Sequence, residues 1–290
     1  MEVIFSTLIN GLSLGGIYAM IALGYTMVYG IAKMLNFAHG DIIMVGAYLI
    51  YVFMALNNPL LAILLSVVGC IILGITIEKV AYKPLRGASP LAVLITAIGV
   101  SYLLQSLSQI IFGSATKMVT VYEFGSVRLL GASIDVSSLV TLAVTVVVMV
   151  SLTLFIKYTR LGRAMIAVSE DKGAAQLMGI NVDGIITVTF AIGSALAALA
   201  GLFYLLKAPA VSNTMGAMPG IKAFTAAVIG GIGSIPGAML GGILLGMVES
   251  ISYKITVIAP YTDAIEFAIL IVILLVRPTG FLGKKRREKV

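Results

Sequence analysis

Residues 60–78 read LLAILLSVVGCIILGITIE, and the only charged side chain in this stretch is Glu78 at its end. A helix needs about 20 mostly apolar residues to cross the hydrocarbon core of a bilayer, so the stretch predicts a transmembrane helix. It contains Cys70, the single cysteine of the chain, which excludes an intrachain disulfide and a cysteine-based metal cluster. We expect Cys70 to be a small buried side chain.

Similar apolar stretches recur along the whole sequence. Of the 290 residues, 60% are hydrophobic and 11% are charged, and the mean hydropathy is +1.12, whereas about a quarter of a soluble domain is charged. We therefore predict an all-α, polytopic transmembrane helical bundle of about eight or nine spans, in one transmembrane domain covering residues 1–290. Spans 42–57 and 222–234 are short enough to be broken or re-entrant. The candidate spans are 5–30, 42–57, 60–78, 91–112, 137–156, 187–207, 222–234, 237–253 and 263–277.

Basic residues divide unevenly between the two sides of this bundle. The formal net charge is +7, and we attribute it to cytoplasmic loops that face anionic lipid, not to nucleic-acid binding. An odd number of spans sorts 14 of the 19 basic residues to the side of the C-terminus. The N-terminus is therefore expected outside and the C-terminus in the cytoplasm, and no basic segment indicates a cleaved signal peptide. The other side receives Lys117, Arg128, Lys207, Lys222 and Lys254.

The longest loop on the basic side lies at about residues 157–187. Ser169 is a candidate N-cap for a short helix, with Glu170 in its first turn and Gly179 at its end. One face of that helix carries Ala174, Leu177 and Met178. A helix this short is unstable alone in water, so it must dock either on its own membrane helices or on a partner protein.

Other polar or glycine-rich positions lie within or beside the apolar stretches. His39 is either a ligand or proton relay next to Asp41, or a structural histidine at a helix entry with Asp41 as N-cap. The turn 230–237 either packs helices closely or lines a permeation path through Gly231 and Gly233. Glu249 and Glu266 are functional candidates by default, although side chains near the ends of spans also reach the interface, and Lys207 is their candidate partner.

Four motifs resemble permeases of ABC importers of the branched-chain amino-acid type, and the resemblance covers nearly the whole chain. The long loop also resembles that of ribose and urea permeases. One departure from the family pattern is Gly173, where a glutamate commonly precedes the alanine pair. The motifs are Asn36-Phe-Ala-His-Gly-Asp41, the loop run Thr159-Arg-x-Gly-Arg-Ala164 with Ala167 and Ala174-Ala175-x-x-x-Gly179-Ile180-Asn181, Gly230-Gly-Ile-Gly-Ser-Ile-Pro-Gly-Ala238, and Arg277-Pro-Thr-Gly-Phe-Leu-Gly283.

The resemblance implies a translocation subunit of an ATP-driven importer of leucine, isoleucine and valine in the bacterial inner membrane. Its implied partners are a second permease, ATP-binding cassette subunits and a periplasmic amino-acid-binding protein. The loop helix would contact the ATPase, and the candidate substrate path would include Asn36, His39, Gly231 and Gly233. The implied ATPase contacts are Arg163, Glu170, Ala174, Ala175 and Gly179.

The sequence carries no Gly-x-x-x-x-Gly-Lys-Ser/Thr loop and no recognisable catalytic set, so we expect no enzyme activity, no metal and no cofactor. ATP hydrolysis would then belong to a separate chain. Two alternatives stay open: an ion-coupled secondary transporter, which needs buried acids or histidine for its coupling ion, and an ABC permease for urea or another amino acid.

Overall fold

The computed structural model describes residues 2–122, 124–129 and 132–283, and these residues are mostly helical. Short 3-10 turns at Met54–Leu56, Lys83–Leu85 and Ala259–Tyr261 extend or join the helices, and a π-helical turn occupies Glu78–Tyr82. The helices are α1 (Glu2–Ala32), α2 (His39–Phe53), α3 (Pro59–Ile77), α4 (Pro90–Phe112), α5 (Val136–Tyr158), α6 (Arg160–Glu170), α7 (Lys172–Leu177), α8 (Val182–Lys207), α9 (Ala217–Gly230), α10 (Ile235–Lys254) and α11 (Thr262–Val276).

Local sequence signals explain where several spans begin. The Asn58 side chain accepts a hydrogen bond from the Leu61 backbone N–H at 3.2 Å, and Pro59 follows at the first helical position of α3. Ser89 caps α4 in the same way, again before a proline. A polar N-cap satisfies one of the free N–H groups at a helix start, and proline lacks the N–H that would be unpaired there.

Eight helices of the described part are long and apolar enough to cross a membrane, which confirms the predicted polytopic helical bundle. Helix α9 has 14 residues and is too short to cross alone. It lies where the short span 222–234 was predicted, and a non-helical stretch precedes it. The other predicted short span, 42–57, belongs to an uninterrupted run of helix at His39–Leu56.

Polar contacts define the two ends of the bundle. At one end, here the loop end, the Lys172 ammonium donates to the Ala32 carbonyl. At the opposite end, here the hairpin end, the Ser250 hydroxyl donates to the Thr7 carbonyl at 2.8 Å. Two small sheets lie at the hairpin end: β1 (Lys117–Met118) pairs antiparallel with β4 (Ala210–Val211), and β2 (Ser126–Leu129) pairs antiparallel with β3 (Ala132–Asp135).

The packing of the helices reveals an inverted internal repeat that the sequence alone did not show. Helix α1 packs on α8, α9 and α10, and helix α8 packs on α1, α2 and α3. Helix α2 contacts α3 and α4, just as α9 contacts α10 and α11. Because α1 ends at the loop end and α8 begins there, α1–α4 and α8–α11 run in opposite directions. Repeats of this kind commonly build a transport site at their shared interface.

Small residues allow the central helices to approach one another closely. A Cβ atom added at Gly15 would lie 2.7 Å from the Ile243 Cα atom, and one added at Gly242 would lie 2.5 Å from the Ala19 Cα atom. Helices α1 and α10 therefore pack closely through glycines of both helices. In a membrane such contacts stabilise helix pairs by van der Waals packing, because lipid is as apolar as the side chains.

Candidate coupling loop and permeation path

The loop between α5 and α8 contains two short helices where the sequence predicted one. Helix α6 begins after Thr159, whose hydroxyl accepts from the Gly162 N–H at 2.9 Å. Helix α7 begins after Asp171, whose carboxylate accepts from the Ala174 N–H at 3.0 Å. The predicted N-cap at Ser169 is therefore wrong, and that residue lies in the last turn of α6. The extended backbone of Asp171, with φ of −152°, separates the two helices and lets its carboxylate serve as the cap.

Helix α7 presents an apolar surface outward from the bundle. Leu177 is 90% exposed and Met178 is 83% exposed, and Ala174 on the same face is also exposed. Gly179, two residues after the last residue of α7, has φ of +80°, which confirms the predicted left-handed residue at this helix end. Ala175 faces the opposite way and is buried at 4% exposure, so its side chain packs within this chain.

The remaining predicted contact residues of the loop lie on α6. Arg163 and Glu170 are both exposed. The Arg163 guanidinium lies 3.5 Å from the Tyr158 carbonyl oxygen, so it stays close to the start of the loop. Both charges are therefore available to a partner that contacts α6, where exposed charges set orientation more than affinity.

The loop is tied to the membrane helices through Lys172. Its ammonium donates a hydrogen bond to the carbonyl of Ala32, the last residue of α1, at 2.7 Å. Partial burial, together with the nearby Arg86 charge, lowers the pKa of Lys172 below its usual value. Beside this contact lies a cavity of about 350 Å³, which is lined by Lys33, the end of α6 and the start of α7.

His39 is the first residue of α2, as the helix-entry alternative predicted, and it lies deep in the bundle. It is 1% exposed, it contacts the Tyr25 ring at 4.8 Å between centroids, and its Nε2 atom has no hydrogen-bond partner within the described residues. Gly24 of α1 and Gly193 of α8 lie against its ring. At 1.5 Å per residue these glycines are about 12 Å and about 17 Å from the loop end of their helices, so His39 lies at mid-depth in the bundle and not at its loop end.

Asp41 does not cap α2, which corrects the structural role predicted for it. Helix α2 begins at His39 and has no side-chain cap, so Asp41 belongs to its first turn. The Asp41 carboxylate is 2% exposed and accepts hydrogen bonds from the Ser101 hydroxyl and, at 2.9 Å, from the Gln105 amide. Both donors lie on α4, so the buried acid joins α2 to α4 within the first repeat.

The starts of α2 and α9 meet at this same depth. A Cβ atom on Gly40 would lie 2.5 Å from the Gly216 carbonyl oxygen and 3.1 Å from the Gly220 Cα atom. Two helix N-termini therefore approach each other through glycine backbones inside the bundle. Their partial positive charges favour an anionic group, and interrupted helices of transporters bind substrate carboxylates in this way.

Asn36 and the glycine turn line one small cleft between this junction and the loop end. Asn36 is 2% exposed and accepts a hydrogen bond from the Tyr82 hydroxyl at 2.9 Å. Ile232, between Gly231 and Gly233, lines the same cleft as Asn36, together with Tyr25 and Phe224. Of the four candidate path residues, only Asn36 lines this cleft. His39 contacts Tyr25, one of its lining residues, and the turn of Gly231 and Gly233 reaches the cleft only through Ile232.

The glycine turn is held by the end of the chain. The Phe281 and Leu282 N–H groups each donate at 2.9 Å, to the carbonyls of Ile229 and Gly230. Gly231 has φ of +106°, and a Cβ there would lie 2.7 Å from the Gly283 Cα atom. The motif Arg277–Gly283 therefore packs over the turn, while Gly233 is exposed at the loop end.

A buried cluster of charges was not recognised in the sequence. The Lys222 ammonium lies 3.1 Å from Glu249, 2.8 Å from Asp263 and 3.3 Å from Glu266. Glu249 also accepts from the Tyr18 hydroxyl at 2.6 Å. Glu249 and Glu266 are 6% and 0% exposed, so the alternative in which they reach the interface is wrong, and Lys222 takes the place suggested for Lys207.

Lys222 was predicted in an outer loop, yet it lies within α9 at 5% exposure. The missed signal was one lysine in an apolar run containing no acid of its own. A cation inside a membrane segment needs an anion from another segment. That reasoning would have joined Lys222 to the acids of α10 and α11.

In the described residues, eight helices long and apolar enough to cross a membrane, two helix starts that meet inside the bundle and an exposed loop helix define a multi-pass membrane protein. A family model described as the permease component of a branched-chain amino-acid transport system matches residues 7–274. The chain belongs to this family.

Curated relatives and one solved structure match nearly the full length. The chain is 44% identical to the high-affinity branched-chain amino-acid transport permease BraD of Pseudomonas aeruginosa, over 98% of this chain and 97% of that one. It is also 44% identical to LivH of Salmonella typhimurium, over 97% and 96% of the two chains. PsaBC from Streptococcus pneumoniae in complex with Fab superposes with a TM-score of 0.48 at 14% identity, covering 99% of this chain and 94% of that chain.

Proposed function

We propose that this chain is the membrane-spanning translocation subunit of an ATP-driven importer for leucine, isoleucine and valine. The names of the relatives support this substrate class, since BraD and LivH are described as high-affinity branched-chain amino-acid permeases. In this proposal the chain itself hydrolyses nothing. Separate ATP-binding cassette subunits supply the energy through the loop between α5 and α8.

The exposed apolar face of α7 is the observation that carries the proposal. Leu177 and Met178 are almost fully exposed at an end of the bundle, in a loop that also carries exposed charges. Leaving these side chains in water costs about 1.5–3 kcal/mol each relative to burial. A partner that covers Ala174, Leu177 and Met178 recovers that free energy. In this proposal the same partner also contacts the exposed residues Arg163, Glu170 and Gly179.

The assembly and its orientation follow from this assignment. The loop end faces the cytoplasm and the hairpin end faces the periplasm, in the inner membrane of a bacterium, as the distribution of basic residues supports. A second permease of the LivM type completes the translocation path, and a periplasmic amino-acid-binding protein delivers substrate at the hairpin end. Substrate passes Asn36 and His39, beside the junction where the starts of α2 and α9 meet, and leaves near Gly231 and Gly233.

One observation favours the alternative of an ion-coupled transporter. Lys222, Glu249 and Glu266 form a buried charged cluster inside the membrane region, and coupling ions commonly use such groups. In the described residues this cluster lies on α9, α10 and α11, toward the hairpin end of the last two helices. It is paired internally, which also suits a purely structural role.

The deciding experiment reconstitutes the chain in liposomes, alone and with the second permease, ATPase subunits and binding protein. We expect ATP-dependent leucine uptake only with the full set. Concentrative uptake by the lone chain on a proton or sodium gradient would instead establish the alternative.

The loop is tested in the same system with Ala174→Trp. The large side chain should prevent close docking and abolish both co-purification of the ATPase subunits and uptake, with normal membrane insertion. Ala115→Trp is the matched control for co-purification of the ATPase subunits, since Ala115 is an exposed alanine at the opposite, hairpin end. Normal co-purification and uptake with Ala174→Trp would contradict the coupling role of α7.

A further inference from the structure

The irregular segment between α1 and α2, residues 33–38, and Ala32 just before it are contacted from two points of the loop region that carries α7: the start of α7 and the start of α8. The first contact comes from Lys172 at the start of α7, which donates to the Ala32 carbonyl immediately before the segment. A displacement of α7 therefore acts directly on the point where α1 ends. The segment has only six residues before His39, so it has little slack to absorb such a displacement.

The second contact starts where the loop ends. Asp183 lies in the first turn of α8 and forms ion pairs with Arg86 and, at 3.0 Å, with Lys83. Arg86 also forms an ion pair with Glu78, a side chain with no exposed surface. The Thr187 hydroxyl of α8 donates to the same Glu78 carboxylate at 2.9 Å. The start of α8 is thus fixed to the π-helical turn Glu78–Tyr82.

That turn returns to the segment through Tyr82. The Tyr82 side chain is 1% exposed and its hydroxyl donates to the Asn36 side chain at 2.9 Å. Its ring also packs on Phe190 of α8 at 5.3 Å between centroids. The start of α7 and the start of α8 are therefore both linked to residues 32–36, and this stretch leads directly into the mid-depth junction at His39 and Gly40.

We propose that Lys172 and Tyr82 are positioning residues that link the loop to the junction, so that movement of α7 sets the position of Asn36 and His39. This inference rests on the proposed function, because it assumes that α7 is moved by an ATPase. Neither residue needs to touch substrate. Each holds residues 32–36 in a fixed position relative to the loop, so the segment moves when the loop moves. Coupling between distant sites is carried by packed and hydrogen-bonded contacts of this kind.

Tyr82→Phe tests the link in the complete reconstituted complex, because it removes only the hydroxyl. We expect ATP hydrolysis to continue at the wild-type rate while leucine taken up per ATP falls by about three- to tenfold, the range of one hydrogen bond. The matched control is Tyr48→Phe. The Tyr48 hydroxyl is buried without a hydrogen-bond partner in the described residues, and its ring stacks on Phe112 at 4.3 Å. This control should leave uptake per ATP unchanged.

Lys172→Met provides a second test at a half-buried surface position, where the change does not threaten folding. It should lower uptake per ATP in the same way, and the double variant should lose little more than the stronger single variant, since both contacts act on one segment. Uptake per ATP at the wild-type value in both single variants, or fully additive losses in the double variant, would overturn the inference. Failure of the wild-type complex to couple ATP to uptake would instead refute the proposed function.

Discussion

Replacing Lys222 with methionine should strongly destabilise the protein, because it removes the cation from a buried group of acids. In the wild-type chain Lys222 lies within 3.3 Å of Glu249, Asp263 and Glu266. Asp263 is half exposed, so water screens its charge. The buried part therefore consists of one cation and two carboxylates, and Lys222→Met leaves both carboxylates without their cation.

The expected magnitude follows from the cost of leaving a buried charge uncompensated. Removing one partner of a buried ion pair typically costs about 3–5 kcal/mol. For a chain of this size we expect that loss to lower the Tm of the detergent-solubilised protein by on the order of 10 °C. Thermal unfolding followed by aggregation or by tryptic sensitivity measures this shift directly.

Two further variants identify the cause. Lys254→Met removes an exposed lysine at the end of α10 and should change the Tm by little. Adding Glu249→Gln and Glu266→Gln to Lys222→Met neutralises the cluster and should restore at least half of the lost Tm. A Tm for Lys222→Met equal to that of Lys254→Met would refute the reasoning, as would a neutralised triple variant no more stable than Lys222→Met.

Two other predictions concern topology and the mid-depth junction. A reporter fused after Val290 should be active in the cytoplasm and one inserted within 117–128 should be active outside, and the reverse pattern would contradict the assigned orientation. Gly40→Ala should lower uptake by about tenfold, because its Cβ would collide with the Gly216 carbonyl, and overpacking of this kind costs about 1–3 kcal/mol. Gly99→Ala is its control, since a Cβ there meets nothing within 4 Å, and equal uptake by the two variants would show that the close approach is unimportant.

Local sequence features predicted the elements that depend on local physics. An apolar run such as 60–78 must be a membrane helix in any arrangement of the chain, because its backbone has no other way to satisfy its polar groups in lipid. The left-handed end of α7 at Gly179 and the tight turn after α9 follow from glycine at those positions. The start of α7 was misplaced because Ser169 and Asp171 are both competent caps, and only the folded loop chooses between them.

Composition and residue order by themselves determined that this chain is a polytopic helical membrane protein, since 60% hydrophobic residues in repeated long runs permit no water-soluble fold. Only the tertiary structure decided how deep His39 lies, which cation compensates Glu249 and Glu266, and that α1–α4 and α8–α11 form an inverted repeat. These features depend on which faces of distant helices meet. Helices in lipid meet through small residues and rare polar pairs, and neither signal specifies its partner along the sequence.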